Sequence, residues 1–271
     1  MAYEGMNESP LDYKLCLYGQ SKILFRGPRK DLKKPYHAFL GGTEMFGKYI
    51  EKPFASLVED ELGTQVANFG AVNAGIDAFV KDPSLLKICD NAKTTVIQVM
   101  GAHNMSNRFY SVHPRRNDRF LKASTLFQTI FREIDFTEFS FTRHLLMTLK
   151  SVTPEKFSAV EDELKEAWVA RMRFMLRNIA GQKVLLWLRD KREGGMFADQ
   201  PLGQDPLFVD ADMIDEIREM VDGIVEVDVT NSMAKRGTFG MMFPQLEAAA
   251  AEEMFGLDIH DVIAKKLVKA L

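Results

Sequence analysis

The densest run of chemistry-capable side chains lies between residues 103 and 119, where His103, Arg108, His113, Arg115, Arg116 and Arg119 fall within 17 positions. Guanidinium forks match phosphate, sulfate or carboxylate at two points, and imidazole titrates near neutral pH. The segment is therefore a candidate site for an anionic ligand, with His103 or His113 as general acid or base. Arg108, Arg115 and Arg116 are spread too far along the chain to converge with Arg119 on one point. The alternative is a solvated loop whose arginines pair with Asp118, Glu133 and other local acids. The five histidines, with Cys16 and Cys89, show no metal-ligand spacing. No phosphate-binding or dinucleotide glycine pattern occurs, so neither metal nor cofactor is expected.

These residues need elements to hold them. An apolar run at 36–41 ends in Gly41-Gly42-Thr43, a helix is expected over 46–62 with a break at Pro53, and a second apolar run at 65–69 ends in Asn68-Phe69-Gly70. This is a β-α-β unit. The run TTVIQVM at 94–100 is nearly continuous and β-branched, as a strand buried on both faces requires. Further strands are expected at 183–188 and 224–229, with helices between them. The fold class is thus α/β, a three-layer α/β/α arrangement with about five parallel strands in a flavodoxin-like order. In such sheets ligands bind at the carboxyl ends of the strands. Gly42-Thr43, Gly70 to Asn73 and Gly101 to Asn104 then face one crevice.

Residues 1–35 are expected to form an irregular, solvated arm carrying Arg26, Arg29, Lys30, Lys33 and Lys34. Residues 36–271 form one domain, with a helical insertion at about 105–180 that covers one end of the sheet or serves as a homo-oligomer surface. In that insertion Thr153 is placed to cap a helix begun by Pro154. A net charge of −3 and a pI near 6.0 give no reason to expect nucleic acid or an anionic membrane as partner. The first 20 residues lack a secretory pattern and no apolar run is long enough for a membrane span. A cytoplasmic protein with a small-molecule ligand is the expectation.

Several blocks in order resemble the SGNH (GDSL-like) hydrolases. Gly41-Gly42-Thr43-Glu44-Met45-Phe46-Gly47 is similar to that family's Gly-Asp-Ser-x-x-x-Gly block, Asn68-Phe69-Gly70 with Asn73 to its second block, and Gly101–Asn104 to its Gly-x-Asn-Asp block. The tail from Gly256 through His260 to Leu267 is similar to its last helix. The resemblance implies acyl-ester chemistry at an SGNH-like site, by hydrolysis or acyl transfer. Thr43 takes the nucleophile's place, Gly70 and Asn104 the oxyanion places, and Gly42 and Asn73 line the same loops. Four positions depart from the pattern: Gly42 stands where the family has Asp, Thr43 where it has the nucleophilic Ser, Phe243 where it has its general base, and Gly240 where it has the orienting Asp. A base would then come from His103 or His113, with His260 as a further candidate. A crevice that binds an anionic small molecule or saccharide without hydrolysis is the other expectation.

Overall fold

The computed structural model of the chain describes residues 11–192, 202–235 and 237–271. Five parallel strands form the central sheet: β1 (Tyr36–Gly41), β2 (Gln65–Gly70), β3 (Thr94–Gln98), β6 (Gln182–Arg189) and β7 (Gly223–Asp228). They run in the order β2-β1-β3-β6-β7. Helices cover both faces, giving the three-layer α/β/α class. The order reverses between β1 and β3, so their carboxyl ends open the crevice where this topology places ligands.

Strand sequences show why both faces are covered. Along β1, Phe39 packs into one core with Val66, Val96 and Leu186, and with Phe54, Val58, Ile263 and Leu267 from two helices. Its neighbours Ala38 and Leu40 pack into the other core with Phe69, Ile97 and Trp187, and with helices on the opposite side. Strand side chains alternate between faces, so two buried faces demand an unbroken apolar run. All five residues of β3 are buried.

The helix expected over 46–62 divides in two, a single turn at Thr43–Phe46 and a longer helix at Phe54–Leu62, with Pro53 as the residue before the second. Proline has no N–H to donate and disfavours helix at the preceding residue, so the interruption falls there. Pro154–Arg177 forms one helix whose Phe157, Val160, Leu164, Trp168, Met172 and Met175 are all buried, at the helical period. The Trp168 indole N–H donates to the Met100 carbonyl at 2.8 Å and ties this helix to the end of β3. Thr153 stands at the cap position, but its hydroxyl donates to the Leu149 carbonyl at 2.9 Å instead of capping the helix that follows.

The region between β3 and β6 holds more than helices. Residues 110–123 contain a two-stranded antiparallel hairpin, β4 (Tyr110–Val112) and β5 (Phe120–Ala123), with an irregular register after Ser111. Residues 11–35 lack regular structure apart from one bridge between Cys16 and Phe25. They are nevertheless packed down, with Tyr13, Tyr18, Ile23, Phe25 and Arg26 all buried. Arg26 therefore departs from the solvated arm expected of its basic cluster. Among the described residues no helix is long and apolar enough to cross a membrane.

Candidate functional site

The floor of the crevice is built where β1 meets β3. Their register pairs Leu40 with Ile97, which sets Gly41 beside Gln98. A Cβ on Gly41 would lie 2.3 Å from Gln98 Oε1 and 2.6 Å from Met45 Cβ, so only glycine permits this approach. Gln98 then works in two directions. Its Oε1 accepts the Gly42 N–H at 3.0 Å, and its Nε2 donates to Glu44 Oε2 at 2.7 Å. Gln98 thus fixes the turn that carries Thr43 and orients the Glu44 carboxyl. Burial raises the Glu44 carboxyl above its usual range, against the bond from Gln98, and the Asp205 charge adds to the rise.

Thr43 lines the crevice, and its hydroxyl accepts the Asn73 N–H at 3.0 Å. Asn73 has φ +59°, a left-handed conformation that asparagine tolerates better than most residues. Among the described residues no histidine hydrogen-bonds the Thr43 hydroxyl. Gly240 and Phe243 supply neither base nor orienting acid: Phe243 packs edge-on against Tyr49 at 5.8 Å, and neither residue lines the crevice.

Gly70 is placed elsewhere. Its N–H donates to Asn68 Oδ1 at 2.8 Å, and a Cβ on it would lie 2.2 Å from the Phe46 nitrogen. Its role is close packing of β2 under the Thr43–Phe46 turn, and its N–H does not point an open donor at the crevice. Asn104 does line the crevice. Its Oδ1 accepts the Thr142 hydroxyl at 2.7 Å, which leaves the amide NH2 without a protein partner among the described residues.

His103 lines the crevice with 8% exposure. Burial, helped by the nearby Arg143 cation, holds its pKa well below the ordinary value, so the ring is neutral at physiological pH. Its Nδ1 is buried without a partner among the described residues. His113 lies outside the crevice lining. Its Nδ1 accepts the backbone N–H groups of Arg115 and Arg116 at 3.3 and 3.2 Å, and burial with those two arginines lowers its pKa. It closes a turn.

The arginines of the basic segment do not converge on the crevice. Arg108 bonds Glu163, and also Glu166 at 3.2 Å, both on the long helix. Arg115 is exposed, Arg116 is half-buried, and Arg119 stacks over the Phe141 ring at 4.6 Å. From the rest of the segment, beyond His103 and Asn104, it is Asp118 that reaches the crevice. Burial raises its carboxyl above the usual range, partly offset by Arg116 and Arg119.

The crevice encloses about 580 Å³. Its lining includes Glu44, Asp118, Asp190, Asp205 and Glu253, against two arginines. Arg143 pairs with Asp205 at 3.2 Å, and Arg192 clasps both oxygens of Asp190 at 2.7 to 3.0 Å. His144 and Phe141 add exposed rings at the rim. Sequence reasoning singled out none of Glu44, Gln98, Thr142, Arg143, His144, Asp190, Arg192 or Asp205 as site residues. One signal was available: Gln98 is a polar residue inside the apolar run that becomes β3. Among the described residues no group of three or more His, Cys, Asp or Glu side chains could hold a metal ion.

The fold and crevice define a three-layer α/β/α protein with a polar site at the switch point of its sheet. The chain belongs to the family described as "Domain of unknown function (DUF6473)", which matches residues 1–271. No curated protein matches it. Among solved structures it is similar to a gut microbial diltiazem-metabolizing enzyme, with 12% identity, TM-score 0.49 and 90% of this chain covered; the match spans 47% of that enzyme, about half its length. It is also similar to a lipase from a goat rumen metagenome, with 13% identity, TM-score 0.45 and coverage of 87% of this chain and 97% of the lipase. A protein from Lactobacillus plantarum matches at 13% identity and TM-score 0.40, covering 88% of this chain and 96% of that one.

Proposed function

We propose that the protein is an SGNH-like hydrolase of a small ester or acyl compound, in which Glu44 replaces the missing histidine as general base. The observation that carries this reading is the Gln98 bridge, which holds a desolvated carboxyl at the carboxyl end of β1 inside the crevice. Burial raises the Glu44 pKa, and a carboxylate of raised pKa is, once ionised, a stronger base than an exposed one. In the reaction, Glu44 takes a proton from a water molecule, whose oxygen adds to the acyl carbon. The ester C–O bond then breaks, and the leaving alkoxide takes the proton back from Glu44. The Asn104 amide, aimed by Thr142, and the Asn73 side chain are the donors for the oxyanion. Thr43 serves as a hydrogen-bonding group, since nothing present activates it for attack.

The test is turnover of short p-nitrophenyl acyl esters. Wild type is expected to be active, Glu44→Gln to lose about 10²-fold or more, and Thr43→Ala less than about 10-fold. Absence of wild-type turnover on every acyl ester, or full activity of Glu44→Gln, overturns the reading. A second reading is a crevice that binds a neutral, hydroxyl-rich compound such as a saccharide without turnover. It is favoured by the excess of acceptor carboxylates in the lining and by the carboxylate partners of both arginines, which also disfavour an anionic ligand.

A further inference from the structure

The back of the Thr43–Phe46 turn is held by a cation from outside the α/β domain. Arg26, in the irregular segment before β1, is 5% exposed. Its guanidinium donates to four backbone carbonyls: Phe46 at 3.3 Å, Gly47 at 2.7 Å, Ile50 at 2.6 Å and Glu51 at 2.8 Å. The rings of Tyr13 and Phe46 lie over it at 5.1 and 5.8 Å. Among the described residues no carboxylate pairs with it. A buried charge without a counter-ion is costly unless its donors are satisfied. Here four backbone carbonyl oxygens accept from it.

The four carbonyls belong to one stretch, the connection from the Thr43–Phe46 turn to the Phe54–Leu62 helix. That connection is held against its own preferences. Tyr49 has φ +69°, a left-handed conformation that a non-glycine residue keeps only when its surroundings enforce it. The Tyr49 N–H donates to the Tyr13 hydroxyl at 3.1 Å, so the same N-terminal segment makes a second tie. Glu44 sits on the opposite side of this turn, facing the crevice.

We propose that Arg26 is a positioning residue, one that fixes the turn bearing Thr43 and Glu44 by gathering the four carbonyls behind it, and that residues 11–35 are for this reason part of the site. The link to catalysis rests on the role of Glu44 proposed above; the clamp itself rests on geometry alone. A lysine offers one ammonium where arginine offers a fork, so Arg26→Lys is a partial replacement. Arg26→Met keeps much of the apolar stem and removes every donor.

The experiment compares wild type, Arg26→Lys, Arg26→Met and Met175→Ala, the last a substitution in the other core, on the Pro154–Arg177 helix. Amide hydrogen exchange is followed across residues 43–54, and the Glu44 side chain is titrated by carbon-13 NMR. In Arg26→Met, exchange at Phe46 to Glu51 is expected to accelerate by about tenfold or more relative to the rest of the sheet. The Glu44 midpoint is expected to fall toward the ordinary carboxylate range. Arg26→Lys is expected to lie between it and wild type. Met175→Ala is expected to lower thermal stability without either local change. If Arg26→Met matches Met175→Ala in both readouts, the clamp is refuted. Should Arg26→Met fail to fold, Arg26→Lys decides: an exchange pattern and Glu44 midpoint equal to wild type refute it, and intermediate values sustain it. A wild-type Glu44 that titrates in the ordinary range overturns the catalytic reading of Glu44, while the exchange pattern still decides the role of Arg26.

Discussion

Two polar regions meet at the crevice, and they spend their polar atoms differently. In the segment from Arg108 to Arg119, Arg108 is tied to Glu163 and Glu166, the His113 ring nitrogen accepts two backbone N–H groups, and Arg119 lies over Phe141. These contacts build a loop. In the Gly41–Phe46 turn the polar atoms also bond one another, but they leave Glu44 facing the cavity, opposite an Asn104 amide with free donors. A high density of ionisable residues therefore does not mark the site. What marks it is a small set of polar groups held rigidly by the fold, each with one bonding direction unspent.

The widest separation between the two regions is expected in catalysis. Glu44→Gln should cost about 10²-fold or more in kcat/KM on an acyl ester, whereas Arg115→Ala and His113→Ala should stay within about twofold. Equal losses in both regions would erase the contrast. Stability follows. Glu163 is buried and accepts both the Arg108 backbone N–H at 2.7 Å and the Arg108 side chain. Glu163→Gln should lower unfolding free energy by about 1–3 kcal/mol with little effect on turnover; a loss of turnover without destabilisation would move this segment into the site.

His260 sharpens the comparison from the other side. It lies behind the turn, where its Nδ1 accepts the Phe54 N–H at 3.0 Å and its ring stacks on Phe54 at 5.4 Å. It thus caps a helix whose own cap position is Pro53, with no side-chain oxygen to offer. Burial, with the charge of Arg26 adding, pushes its pKa down to about 3 from an ordinary value near 6.5. Between those values the unfolded chain binds the proton and the folded protein does not. The stability that the neutral ring contributes is therefore complete above about pH 6.5 and is lost as pH falls toward 3. The slope should be at most about 1.4 kcal/mol per pH unit. Removing the ring should flatten this slope, so urea midpoints of wild type and His260→Ala, followed from pH 7 to pH 4, should converge as pH falls; parallel curves would refute the assignment. The smallest effect expected is that of Thr43→Ser, which keeps the oxygen that accepts the Asn73 N–H and should change kcat/KM by less than about threefold. A large gain instead would mean that the methyl group had been blocking a nucleophile.

Much of the fold was legible in the sequence because a sheet buried on both faces demands continuous apolar runs. Those runs stand at 36–41, 65–69, 94–100, 183–188 and 224–229, each within two residues of the observed strand bounds. The hairpin at 110–123 was not legible, since its arginines and asparagines resemble a loop until Phe120 and Tyr110 are seen packed beneath it. Thr43, Asn73, His103 and Asn104 were legible as crevice residues because strand ends select them. Gly70 was legible only as a glycine. Its use for packing against Phe46 depends on how close a neighbouring turn comes, which no local pattern records.

The sequence alone thus determined the layer architecture and the loops that open on the crevice, both of which follow from local periodicity and residue identity. Tertiary structure decided the rest. It joined Gln98 to Glu44 across 54 residues, set Arg26 beneath the turn and spent Arg108 and His113 on scaffolding. The physical reason is the parallel pairing of β1 with β3: it makes neighbours of strand ends that are far apart in the chain, and only there does a polar side chain acquire, or keep free, its hydrogen-bonding partners.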